Sequence, residues 1–402
     1  MIDEARERAR AAGFDPERLE HALGLLRRAC ASGAFPGGVV LVERRGMRVV
    51  HEAMGFTSYG NAARPVTVET VYDVASLTKP MATVTSVLRL MELGEVNLDD
   101  GVARYLPGVA DGITLVHLLT HTGGLVADAP LWEMGGAGGR EACVRAAMAL
   151  AKAEALEARP GAQVRYSCIG FILLGLVVEK VAGEGLEAFA RREVFEKLGM
   201  GRTGFYTVER FVEREAVAPT ERRSSCQLGQ RFWERLRQCG MYLDLHTADS
   251  VAWGAVHDEN ALAMGGVSGN AGLFSTADDV AKLARMYLAG ERAVRTEGDE
   301  DGAVQVLSPA TVELATRNYT AGMGENRGLG WQLATPGSSF GNLMSPRAFG
   351  HTGFTGTAVW ADPVRDLVIV LLTNRVHPTR ENLALVNLRP KFVNTVVAAI
   401  TR

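Results

Sequence analysis

Ser76 and Lys79 stand three residues apart in the run Val74-Ala75-Ser76-Leu77-Thr78-Lys79-Pro80. An extended stretch, Thr70 to Val74, precedes them, and Met81 to Leu93 follows with the apolar spacing of a helix. On the first turn of a helix residues i and i+3 share a face, so an amine can sit beside a hydroxyl. A serine hydroxyl is a weak nucleophile until a neighbouring base takes its proton. A lysine can be that base when burial lowers its pKa. The helix N-terminus adds backbone N–H groups that favour developing negative charge. Taken alone, the same residues also describe a capping serine and a surface lysine.

Two further segments hold residues of matching chemistry. Arg165-Tyr166-Ser167-Cys168-Ile169-Gly170-Phe171 places a tyrosine just before a predicted helix, Gly170 to Val181. Phe349-Gly350-His351-Thr352-Gly353-Phe354 places His-Thr-Gly between strand candidates. In this order and spacing the three segments resemble the serine β-lactamase and penicillin-binding superfamily, above all class C β-lactamases, family VIII esterases and D-alanyl-D-alanine carboxypeptidases. Ile113 to Leu125, Gly265 to Phe274 and Asn374-Arg375-Val376-His377-Pro378 support the likeness, which covers roughly residues 20–400.

The resemblance implies an acyl-enzyme on Ser76, with Lys79 as base or proton shuttle. Tyr166 would be general base, or acid for the leaving group. The oxyanion hole would be the N–H groups of Ser76 and Phe354. His351, Thr352, Gly353 and Cys168 would contact substrate, a small ester, lactam or D-amino-acid peptide. Neither a metal nor an organic cofactor is implied. Two other readings are a penicillin-binding or sensor protein that acylates slowly or not at all, and an acyltransferase of the same fold.

Three departures from the family pattern bear on substrate. The usual Tyr-x-Asn is Tyr166-Ser167-Cys168 here, and a thiol is a weak donor beside an amide. That predicts esters preferred over lactams, unless Cys168 faces the core and Ser268 or Asn270 fills the Asn role. His351 replaces the lysine of Lys-Thr-Gly and carries less charge at neutral pH, so recognition of a substrate carboxylate is expected to be weaker or pH-dependent. No S-D-N or class A-type glutamate motif is found.

Other signals compete less well. Gly337-Ser338-Ser339-Phe340-Gly341 matches G-x-S-x-G, but Asn342 to Pro346 cannot easily begin the helix a nucleophile elbow needs. His117 and His121 have zinc spacing, yet residue 118 is leucine, so the glutamate of H-E-x-x-H is missing. A structural role at a helix end is expected. His257-Asp258-Glu259 lacks a partner cluster. Cys168 reads as a packed thiol or a reactive one near the site.

The elements that must position these residues follow from punctuation and periodicity. Asp15-Pro16 opens a helix with Leu19, Leu23, Leu26 and Cys30 on one face. Gly37 to Arg44 and Met47 to Glu52 are strands about an Arg45-Gly46 turn. Arg140 to Ala155 is helical, and Thr276-Ala277-Asp278-Asp279 starts a helix through Met286. Gly328 to Leu333, Thr357 to Trp360 and Leu367 to Leu372 read as strands, and Pro390 begins a closing helix. Strands at both ends with helices between predict an α+β fold: an antiparallel sheet flanked by terminal helices (1–75 and 275–402) and a mainly helical domain (76–274). Within the latter, 205–260 reads as a lid or a packed insertion, and 290–304 as an exposed loop.

Composition sets outer limits. The 402 residues include 43 Lys+Arg and 46 Asp+Glu, a net charge of −3. That is no footprint for nucleic acid. Five cysteines at wide spacing, with no C-x-x-C, give neither a disulfide framework nor a zinc site. The run Met1 to Arg8 is charged and lacks the apolar stretch of a secretory signal, and no apolar run reaches the roughly 20 residues of a membrane span. A cytoplasmic protein without a membrane partner is the expectation.

Overall fold

The computed structural model describes residues 2–60, 63–135, 139–205, 217–221, 254–289 and 306–401. Most of the expected 205–260 insertion and of the 290–304 loop lies outside them. Nine strands are described: β1 (Gly37–Arg44), β2 (Met47–Gly55), β3 (Tyr72–Asp73), β4 (Gly204–Phe205), β5 (Leu273–Ser275), β6 (Gln332–Leu333), β7 (Phe349–Thr352), β8 (Ala358–Asp362) and β9 (Leu367–Thr373). Six form an antiparallel sheet in the order β2-β1-β9-β8-β7-β6, and β3-β5-β4 form a small second sheet.

Side chains alternate across a strand. The unbroken apolar runs of β1 and β9 therefore feed two cores at once. Val39 and Leu41, with Val368, Val370 and Leu372, face the larger core. Val40 and Val42, with Leu367, Ile369 and Leu371, face the smaller one. The terminal helices Pro16–Ala31 and Ala384–Ala398 close the smaller core with Leu19, Leu23, Leu26, Phe392, Val393 and Val396. Helix Ala277–Ala289 and the helical segments between residues 79 and 195 share the larger core with the opposite face. The α+β expectation with terminal helices on the sheet is borne out. Among the described residues no helix is long and apolar enough to cross a membrane.

Local signals hold where a side chain acts on its own backbone. The Asp15 carboxylate accepts the N–H groups of Glu17 and Arg18 at 2.9 and 3.1 Å, with Pro16 in the first turn. Arg45 and Gly46 both take positive φ (54° and 73°) in the β1–β2 turn, the geometry a two-residue hairpin needs. Two expectations need correction. The strand expected over Gly328 to Leu333 shrinks to Gln332–Leu333, because Gly330 turns left-handed (φ 70°) and the amides of Leu329 and Gly330 bond to Ala315 O and Leu119 O instead. The last helix starts at Ala384, not at Pro390, which lies inside it. A proline there removes one ladder bond, and the buried apolar face of the helix offsets the loss.

One close approach fixes the helical region against the segment after residue 264. A Cβ on Gly269 would lie 2.0 Å from Phe171 O and 2.9 Å from Gly175 N, both on helix Cys168–Ala182. Gly269→Ala must push that helix away, and such overpacking costs about 1–3 kcal/mol. Its urea midpoint is expected to fall. Gly101→Ala, at a site with open space and φ −63°, should leave the midpoint unchanged. Equal midpoints for wild type and Gly269→Ala would show that the contact yields freely.

Candidate active site

Ser76 sits where β3 bends into a helix. The bend is held by Asp73, whose carboxylate accepts the Ala75 N–H at 2.8 Å and the His257 N–H at 2.7 Å. Ala75 is in the left-handed region (φ 48°), an uncommon conformation for a residue with a Cβ, and one that turns the next residue out of the strand. Burial raises the Asp73 pKa to about 6, against the pull of those two amides. Thr78 Oγ1 donates to Ala75 O at 2.6 Å and accepts the Leu273 N–H at 3.1 Å, which locks the turn to β5.

The expected pair forms. Lys79 Nζ donates to Ser76 Oγ at 3.1 Å and to the backbone oxygen of Asn270 at 3.0 Å, and it lies 3.6 Å from Cys168 Sγ. The Tyr166 ring packs on the same ammonium, 4.9 Å from nitrogen to centroid, and Phe171 lies 5.7 Å away. Lys79 is fully buried. Burial works to lower its pKa, but the Cys168 thiol, the Tyr166 phenol and the Asp258 carboxyl more than reverse this, and the net direction is up. Burial alone would meet the condition for Lys79 to act as a base; the acidic groups gathered round it work the other way.

Tyr166 lies in extended chain one residue before Ser167, the cap of helix Cys168–Ala182. Behind it, His121 takes the Ser167 N–H on Nδ1 at 3.0 Å and packs its ring 4.4 Å from that of Tyr166. His117 instead bonds with Thr114 in the cap of helix Leu115–Leu119. The two histidines are thus structural, one at a helix end as expected and one behind Tyr166. Cys168 opens the helix facing Lys79 rather than the core, and burial pushes its thiol pKa up. Of the residues suggested for the Asn role, Asn270 gives Lys79 its carbonyl, while its amide is spanned between Ser268 Oγ (2.7 Å) and Asp258 (3.2 Å).

The turn after β7 closes the other side. Thr355 Oγ1 donates to Asp73 O at 2.7 Å and Thr357 Oγ1 to Val74 O at 2.9 Å, so this turn is tied to the chain just ahead of Ser76. Gly353 is required there, since a Cβ would meet Thr357 Oγ1 at 2.0 Å and Val74 O at 2.5 Å. His351 is buried, with Nδ1 2.9 Å from Thr352 O. Burial, aided by Arg327 and Lys79, lowers its pKa well below the usual histidine range. That direction favours the neutral ring at physiological pH. Phe354 is half-exposed, its ring tilted against that of His257 at 5.6 Å and covered by the Arg375 guanidinium at 4.9 Å.

Several neighbours escaped the sequence argument. Arg327 lies over the Tyr166 ring at 5.3 Å, and nothing in its sequence setting marks it. Asp258 was visible only as part of His257-Asp258-Glu259. That triplet is split between a helix cap (Asp258 to the Ala261 N–H, 2.7 Å), a His257–Glu221 contact at 3.1 Å and a Glu259–Arg380 pair at 2.6 Å. Among the described residues no His/Cys/Asp/Glu group is arranged to hold a metal ion. Ser339 Oγ accepts the Trp360 Nε1–H at 3.1 Å, and Trp360 belongs to the core beneath the terminal helices, so the G-x-S-x-G serine sits in a turn on the opposite face of the sheet.

Comparison with known proteins agrees with this geometry. Residues 19–389 match the Beta-lactamase family. A protein of Escherichia coli O157:H7 named "Putative D-alanyl-D-alanine carboxypeptidase" is 33% identical over 389 residues, covering 91% of this chain and 84% of that one. Among solved structures, EstCE1, a hydrolase with promiscuous acyltransferase activity, superposes with a TM-score of 0.66 at 25% identity, over 95% of this chain and 99% of that one. A mutant class C β-lactamase superposes with a TM-score of 0.68 at 18% identity, over 94% and 97%. The chain belongs to the Beta-lactamase family and has its serine hydrolase fold.

Proposed function

We propose that this protein hydrolyses esters in preference to β-lactams, through an acyl-enzyme on Ser76. The observation that carries the reading is the buried Lys79 ammonium shared by Ser76 Oγ, the Tyr166 ring and a thiol where the family pattern has an amide. Ser76 Oγ attacks the substrate carbonyl carbon. Its proton passes through the Lys79–Tyr166 pair and on to the departing alcohol. Lys79, as the ammonium, orients Ser76 Oγ, and Tyr166, as the phenolate beside that ammonium, receives the proton and later gives it to the departing alcohol. The tetrahedral oxyanion takes N–H bonds from Ser76 and Phe354, donors worth about 2.7–4 kcal/mol each where such groups have been removed. Water then enters by the same route and releases the acid.

His351, Thr352 and Gly353 line the acyl pocket by position and hydrogen bonding rather than by charge, since the His351 ring is neutral. The ester preference follows from Cys168. Amides and lactams have poorer leaving groups and need the extra donor more than activated esters do, and a thiol donates weakly. The structural likeness to EstCE1, a hydrolase with promiscuous acyltransferase activity, favours acyl transfer to an added acceptor as a second outlet for the acyl-enzyme. The relatives' name favours D-amino-acid peptides as the competing substrate class.

Two measurements test the reading. Turnover of an activated short-chain phenyl ester should vanish in Ser76→Ala. It should fall about 10²–10⁴-fold in kcat, with little change in KM, in Lys79→Ala and in Tyr166→Phe. The double variant should lose far less than the product of the single losses, because the two groups move one proton; multiplicative losses would contradict that, and no turnover by wild type would favour a sensor. For substrate preference, the specificity constants of an ester and a cephalosporin are compared. Wild type should favour the ester, and Cys168→Asn should regain lactam activity by up to about 1–3 kcal/mol. A wild type that prefers the cephalosporin, or an unchanged ratio in Cys168→Asn, overturns this use of Cys168.

A further inference from the structure

The turn that carries Phe354 is backed by a buried cation that has no counter-ion among the described residues. Arg389, from helix Ala384–Ala398, is 5% exposed, and its Nη2 donates to Gly353 O at 3.2 Å and to Thr357 O at 3.0 Å. Its Nε has no partner, and among the described residues no carboxylate reaches it. A second buried guanidinium, Arg375, lies over the Phe354 ring and donates to Arg380 O and Asn382 O at 3.0 and 2.8 Å. Burial pushes the Arg389 pKa down to about 10, and Arg375 pushes the same way. Burying a charge without an opposite charge costs stability. If tying the last helix to the turn were the whole task, a neutral amide donor would do it at lower cost.

The oxygen that Arg389 holds belongs to the same peptide unit as the Phe354 N–H. A cation bonded to the carbonyl end of a peptide draws electron density from its nitrogen and strengthens its N–H as a donor. The neighbouring amides are otherwise engaged, Gly353 N–H with Thr357 O at 2.7 Å and Gly356 N–H with Gly353 O at 3.1 Å. Among the described residues the Phe354 N–H has no partner. We infer that Arg389 is a positioning residue for acyl transfer, acting through the Gly353–Phe354 peptide to strengthen the donor that takes the tetrahedral oxyanion. This rests on the reading of Ser76 and Phe354 given above. It also gives a reason for the charged contact between the C-terminal helix, which packs on the other face of the sheet, and this turn: the charge is placed behind the spot where negative charge appears, and a neutral His351 leaves that spot with less help from its own strand.

The test uses the full-length protein with Arg389→Met, which keeps the stem and removes the charge, and Arg389→Lys, which keeps the charge. Hydrogen bonds in a chain strengthen one another by about a tenth to a third, and loss of a whole oxyanion donor costs about 10²–10³-fold, so kcat for an activated ester should fall about two- to tenfold in Arg389→Met. KM should stay constant and Arg389→Lys should recover most of the loss. The readout a purely structural role would not move is the carbonyl stretch of a slowly deacylating arylacryloyl adduct on Ser76. It should rise in frequency in Arg389→Met and return toward wild type in Arg389→Lys. A stretch unchanged in Arg389→Met, or a fall in kcat that Arg389→Lys does not rescue, overturns the inference. Should Arg389→Met not fold, Arg389→Gln, which keeps a donor and removes the charge, takes its place with the same expected rise in the stretch and the same contradicting result. Ser76→Ala is run beside them: an acyl adduct there would defeat the nucleophile assignment, a failure separable from that of Arg389.

Discussion

A buried ammonium is the constraint around which the rest is arranged. Lys79 has no access to water, so each of its N–H bonds must find a protein acceptor or leave a charge unsatisfied in a medium where that is costly. It finds Ser76 Oγ on its own helical turn, a backbone oxygen at Asn270, and the soft surfaces of Cys168 and Tyr166. These four groups come from three separate stretches of chain. The left-handed Ala75, the Gly269–Gly175 contact and the Asp258–Asn270 bond all serve to bring those stretches to one point. On the proposed mechanism, sharing of this ammonium is what would make the serine, the lysine and the tyrosine one unit in proton transfer.

The electrostatics near this point are lopsided. Lys79, Arg327, Arg375 and Arg389 are all buried cations, while the two histidines closest to Tyr166, His121 and His351, are both driven toward neutrality by burial and by Arg327 and Lys79. Positive charge is thus held on lysine and arginine side chains, and the histidine rings contribute shape and hydrogen bonds. A site arranged this way favours a transition state that gains negative charge on the substrate oxygen, as acyl transfer does.

How much of this was legible depended on whether a residue's role is local. Ser76 and Lys79 could be paired from an i,i+3 spacing, Asp15 as a cap from its place before Pro16, and Arg45-Gly46 as a hairpin turn, because each acts on its nearest neighbours. Tyr166 and His351 lie far from Ser76 in sequence, and their likeness to a known family brought them in. The rest had no sequence signal. Asn270 acts through a carbonyl that every residue carries. Arg389 reaches back to Gly353 and Thr357 across the fold, and the neutrality of His351 depends on burial beside Arg327. The shortened β6 and the helix running through Pro390 show the same limit: where tertiary contacts supply other partners or a buried face, local propensity is overridden.

The account stands or falls on where the acyl group resides. The wild-type protein is treated with a fluorophosphonate and, separately, with a slow ester, then digested and its peptides weighed. One adduct per chain, on the peptide that contains Ser76, is the predicted result. An adduct on the Ser339 peptide, or none with either reagent, would contradict it.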